Sequence, residues 1–139
     1  MPINFFENAC KTFSNLEEFG LCDKTHPIKK PAYIDENKQN IENWVAEVEN
    51  KTQILLDFYA IDNCVTILRP NGETEKSCDG MICYKDDFDV DNIIFIELKN
   101  RISTGWLGDG VKQLKITLEK FIENNNMEQF NMEVAYVCN

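Results

Sequence analysis

A chain of 139 residues has room for one domain around one core, and 43% apolar with 11% aromatic residues excludes a largely disordered protein. A formal net charge of −10 excludes a surface that is basic throughout, the usual footprint of tight nucleic-acid binding. No segment approaches the roughly eighteen consecutive apolar residues of a membrane helix.

The first residues, Met-Pro-Ile-Asn-Phe-Phe-Glu, lack the basic flank and apolar run of a secretory signal, so a soluble cytoplasmic protein is expected. The six cysteines, Cys10, Cys22, Cys64, Cys78, Cys83 and Cys138, contain no Cys-x-x-Cys pair and are expected to be reduced, buried thiols. His26 is the one histidine and has no partner in sequence for catalysis or zinc binding.

In chain order, Phe5, Phe6, Ala9, Phe13, Leu16 and Phe19 lie near helical spacing, which predicts a helix over 4–20 stopped by Gly20. A loop with His26, Pro27 and Pro31 follows. Ile41, Trp44, Val45 and Val48 predict a second helix over 35–50. Residues 1–39 then read as a helix-and-loop extension and 40–139 as the core of a single domain. Strands are predicted over 53–61, 65–68 and 77–84, with turn chemistry at Asp62-Asn63 and at Arg69-Pro70-Asn71-Gly72. The β-branched run over 93–99 is the central buried strand. Val111, Leu114, Leu118 and Phe121 mark one face of a helix from Asp109 or Gly110 to about residue 123, with Asp109 as its N-cap. A last strand over 132–138 completes a strand, helix, strand unit that requires a parallel crossover. The class is α/β, with a mixed central sheet of four to five strands flanked by helices.

Strand alternation puts Phe95, Glu97 and Lys99 on one face and Ile94, Ile96 and Leu98 on the other. Burying such charges costs several kcal/mol each unless they are paired or bound to an ion. An antiparallel hairpin between 77–84 and 93–99 brings Asp79 toward Glu97. Two converging carboxylates suit Mg²⁺ or Mn²⁺, with the Leu98 carbonyl as a third ligand. An ion there can activate water against a phosphodiester, and Lys99 can stabilise the growing negative charge. An Asp, Glu and Lys ion-pair cluster without a metal satisfies the same spacing.

Cys78-Asp79-Gly80, then a hydrophobic strand ending Ile96-Glu97-Leu98-Lys99-Asn100, then a helix with Gln113-Leu114, resembles the PD-(D/E)XK nuclease superfamily over residues 40–139. The resemblance implies a restriction-endonuclease-like core, catalysis by Asp79, Glu97, Lys99 and Gln113, and metal binding by Asp79, Glu97 and the Leu98 carbonyl. It also implies an acidic residue on a first core helix, for which Glu42, Glu47 and Glu49 are candidates and Glu49 is favoured. Two positions depart from the superfamily pattern: Cys78 stands where its proline precedes the Asp, and Thr117 where one subgroup has a tyrosine.

Around this centre, Asp62 reads as a turn cap or a second metal contact. The loop 103–110 could receive phosphate at a helix N-terminus, and Trp106 could stack on a base. Lys24, Lys29, Lys30, Arg69, Lys76, Arg101 and Lys112 could line a cleft, with Arg101 and Lys112 the substrate-binding candidates nearest in sequence. The expectation is a Mg²⁺- or Mn²⁺-dependent nuclease acting on DNA more than RNA, in restriction, repair or phage defence. Its counterpart is a catalytically silent binding or regulatory subunit, with a homodimer or protein partner supplying the missing basic surface.

Overall fold

The computed structural model describes residues 3–23, 28–99 and 105–138. They form two sheets and one long helix, a mixed α/β architecture. The larger sheet holds β1 (Lys11–Ser14), β5 (Leu56–Ala60), β6 (Gly80–Lys85), β7 (Asp91–Leu98) and β8 (Phe130–Cys138), in the order β1-β5-β6-β7-β8. Its first three pairings are antiparallel and the last, β7 with β8, is parallel. The parallel pair is joined through α1 (Trp106–Asn124), the crossover that a parallel connection demands. The smaller sheet holds β2 (Glu18–Cys22), β3 (Tyr33–Asp35) and β4 (Ala46–Glu49), antiparallel in the order β3-β2-β4.

Both helices expected before residue 50 are absent. The segment 4–20 contains a 3-10 turn at Asn8–Cys10, then β1 and β2. Helical spacing of its aromatics was misleading because they serve different surfaces: Phe5 and Phe19 are fully buried, whereas Phe13 is 62% exposed on an edge strand. Gly20 lies inside β2, where a Cβ would fall 2.1 Å from the Trp44 ring, so it admits that indole instead of stopping a helix. The segment 35–50 forms the end of β3, 3-10 turns over Lys38–Asn43 started by Asn37, whose side chain accepts from Gln39 N, and β4. Residues before 40 therefore supply strands to both sheets.

Smaller corrections follow later in the chain. The expected strand over 65–68 is reduced to one bridge between Leu68 and Thr74. Helix α1 begins at Trp106 behind Gly105, whose φ of 89° is cheap only for glycine, so Asp109 lies in the first turn and is not the cap. Cys10 and Cys64 form a disulfide, against the expectation of six reduced thiols, while Cys22, Cys78, Cys83 and Cys138 remain thiols. Their 54-residue separation closes one long loop from the start of β1 to the turn after β5.

Each face of the large sheet builds one core. On one side Met81, Cys83, Ile93 and Phe95 meet Leu114 and Phe121 of α1, together with Phe5, Ile61 and Ile67. Phe121 is ringed edge-on by Phe5, Phe6, Phe95 and Phe130. On the other side Leu56, Phe58, Ile82, Ile96 and Leu98 meet Phe19 and Leu21 of the small sheet. The alternation expected for β7 is thus realised, since Phe95 and Ile96 enter opposite cores. Among the described residues no helix is long and apolar enough to cross a membrane.

Candidate functional site

The register of β6 against β7 sets Gly80 opposite Ile96, so one further step places Asp79 opposite Glu97. The end of β5 holds the other side of this segment: Ile61 N donates to Asp79 O at 2.8 Å and Asp62 N donates to Cys78 O at 3.1 Å. Asp79 Oδ2 then accepts from Leu98 N at 2.6 Å, which fixes its carboxylate at the end of β7. Asp79 and Glu97 are in side-chain hydrogen-bond contact, and both are buried, at 5% and 2% exposure.

Lys99 and Gln113 complete a polar chain on the same face. Lys99 Nζ donates to Gln113 Oε1 at 2.6 Å and lies 3.5 Å from Glu97 Oε2, an ion-pair distance. Helix α1 comes this near because Gly110 faces the sheet: a Cβ there would meet Val137 Cγ1 at 2.9 Å and Glu97 Cγ at 3.5 Å. Thr117, where the resemblance led one to look for tyrosine, is fully buried. Its Oγ1 accepts from Cys78 N at 2.8 Å and donates to Gln113 O at 2.7 Å, joining the helix to the backbone beside Asp79. Thr117 was missed as a site residue because its role is a backbone contact across 39 positions, which no sequence spacing reveals.

Asp23 is the other residue that the sequence does not reveal. It follows β2 directly, and its carboxyl is in hydrogen-bond contact with Asp79, with Asp62 and Lys99 nearby. Burial, then Asp79, pushes Asp23 up to about 7. Asp79 is raised well above the usual carboxylate range by burial and by the neighbouring Glu97. Burial also raises Glu97, opposed by Asp79 and Lys99. Asp62 is raised by burial, with Lys29, Lys99 and Lys76 pulling it back. The Cys78 thiol is pushed up by burial, and its Sγ donates to Gly80 O at 3.6 Å.

Other expected site residues fall elsewhere. Glu49 is exposed and pairs with Glu18, the first residue of β2, at the opposite end of that strand from Asp23. Five residues at roughly 3.3 Å each separate the two ends by about 16 Å, and Glu49 lines a surface hollow with Glu17, Glu18 and Lys51. It is therefore not part of the centre, and neither Glu42 nor Glu47 has the expected helix to stand on. Lys112 is exposed on α1 beside Gln113, and Trp106 is half-buried at the first position of the helix. Arg69 is held by Glu73 and Glu75. Arg101, Lys24, His26 and residues 103–104 lie outside the described residues.

The donor set suits a hard divalent ion. Glu97 Oε2 is buried with the Lys99 ammonium beside it at 3.5 Å, one positive charge against two converging carboxylates, an imbalance that a divalent cation would offset. Among the described residues no three Asp, Glu, His or Cys side chains form a ready-made metal cage. Mg²⁺ does not require one, since it commonly uses one or two carboxylates and keeps several waters. Asp79 and Glu97 would hold such an ion. Comparison with protein-family models, with curated proteins and with solved structures finds no match.

Proposed function

We propose that this chain is a Mg²⁺- or Mn²⁺-dependent phosphodiesterase that cuts nucleic acid, DNA in preference to RNA, with a centre of the PD-(D/E)XK type. One observation carries the reading: Asp79 and Glu97 touch in a buried position while Lys99, two residues on along the same strand, is held beside them by Gln113. An antiparallel run of β5, β6 and β7, followed by a helix and a parallel strand, is consistent with it.

In this reading a bound divalent ion supplies Lewis acidity toward the phosphoryl group and lowers the pKa of water. The protein's own residues do the rest. Asp79 and Glu97 hold the ion, Asp79 being immobilised by Leu98 N. Lys99 presents its ammonium to charge growing on the phosphoryl oxygens, and Gln113 stops it from collapsing fully onto Glu97. Lys29 and Lys76, both exposed near Asp62, put positive charge at this end of an otherwise acidic molecule.

The test is a cleavage panel of single-stranded, duplex and branched DNA and RNA with Mn²⁺, run beside Lys99→Ala. Wild type is expected to cut, and the variant to stay folded and lose at least about 100-fold in rate. Equal cleavage by both would place the chemistry elsewhere. The charge of −10 favours one second reading, a silent nuclease-like subunit whose partner supplies the basic surface; metal binding without cleavage of any substrate would select it.

A further inference from the structure

We infer that the Cys10–Cys64 disulfide is a redox switch on the segment that carries Asp79: oxidised, it braces the turn that clamps this segment, and reduced, it lets that turn loosen. The fold places the bond for this role. Lys11 of β1 pairs with Tyr59 of β5, so Cys10, one residue earlier, lies beside the end of β5 at Ala60. Cys64 belongs to the turn that follows, where Cys64 N and Val65 N both donate to Ile61 O, at 3.1 and 2.8 Å. The same turn carries the β5–β6 pairing past Ala60 and Gly80, through Ile61 N to Asp79 O at 2.8 Å and Asp62 N to Cys78 O at 3.1 Å. One covalent bond therefore ties to β1 the few residues that grip Asp79 from the side away from β7.

The turn needs such a tie. Between the buried Ile61 and Ile67 it is shallow, with Asn63 and Thr66 exposed and Cys64 and Val65 half-buried. Asn63 also holds the left-handed conformation, at a φ of 63°, which persists in a non-glycine residue only where the surroundings enforce it. The half-buried Cys64 sulfur is the reachable one, since Cys10 is 5% exposed. A dithiol reductant therefore attacks at Cys64, its thiolate forming a mixed disulfide while Cys10 Sγ leaves with the electron pair of the broken bond and takes up a proton. The reductant's second thiolate then displaces Cys64 Sγ, which takes up the second proton, and the reductant ends as a disulfide. With the bond gone, the turn can part from Asp79 O and Cys78 O. That this governs catalysis rests on Asp79 belonging to the metal centre proposed above.

Amide hydrogen exchange tests the brace without recourse to cleavage. The samples are oxidised wild type, wild type reduced by dithiothreitol without denaturant and then freed of it under nitrogen, and the double variant Cys10→Ser/Cys64→Ser. Dithiothreitol is expected to reduce the bond in the folded protein and to speed exchange at the Ile61 and Asp62 amides by about tenfold or more, with a several-fold smaller change at Ile94 and Phe95 of β7. The double variant should exchange as reduced wild type does, whatever the redox buffer. Calorimetric titration of the same samples with Mn²⁺ should show an affinity roughly tenfold lower without the bond. A bond reduced only on unfolding, exchange at Ile61 and Asp62 unmoved by reduction, a rise shared equally by β7, or Mn²⁺ held equally tightly in both states would each overturn the switch. Selective loosening of the turn with no Mn²⁺ binding in either state would uphold the brace and overturn the metal centre.

Discussion

The two faces of the five-stranded sheet are built from the same strands but do different work. The face toward the small sheet is a dry contact of Phe58, Ile82, Ile96 and Leu98 with Phe19 and Leu21. The face toward α1 begins the same way, around Phe95 and Phe121, and then turns polar at one end, where Asp79, Glu97, Lys99, Gln113 and Thr117 replace apolar side chains. The contrast teaches that the site is a local departure from a good core. Its carboxylates sit where Leu or Val would be more stable, and the surrounding apolar packing holds them there.

The largest expected effects come from the packing itself. Phe121→Ala and Phe58→Ala should each destabilise by about 3–5 kcal/mol, as for other fully buried phenylalanines, read from urea midpoints at constant m-value. Comparable losses would show that both layers are equally part of the fold; a loss several-fold smaller at Phe58 would mean that the small sheet is loosely held, and Asp23 with it. A smaller effect, about 1–3 kcal/mol, is expected for Thr117→Val, which keeps the shape but leaves the Cys78 N–H buried without its acceptor. Mn²⁺ affinity should fall as well, since that N–H anchors the residue before Asp79. Unchanged stability would show that the helix does not brace the site through this contact.

How much of this was legible in the sequence divides along the same line. The β7 run, the α1 face and the parallel return declared themselves, because each carries an unbroken apolar pattern, on both faces in β7 and along one stripe in α1, though Val111, expected on that stripe, is 52% exposed. The contact of Glu97 with Asp79 was legible as a consequence of strand alternation and a hairpin. The first 50 residues misled because their aromatics are shared between two sheets and an exposed edge, so a helical spacing arose from several unrelated burial demands. Asp23 and Thr117 left no trace, since each acts through a contact fixed only by how separate layers dock. The Cys10–Cys64 pairing joins the start of β1 to the turn after its neighbour β5 in the same sheet, and spacing alone cannot foresee it.

The most direct test of the proposed metal centre is the stability of wild type and Asp79→Asn from pH 5 to pH 8, with and without Mn²⁺. Asp79 and Asp23 are raised on folding, Asp23 to about 7. Their contribution is therefore full below the unfolded carboxylate range near pH 4 and is lost as pH rises through the folded values. Wild type without Mn²⁺ should lose stability between pH 5 and pH 8, Mn²⁺ should restore it at pH 8, and Asp79→Asn should be flatter with pH and respond little to Mn²⁺. A wild-type profile that is flat over this range, unmoved by Mn²⁺ and identical to that of Asp79→Asn, would contradict the account.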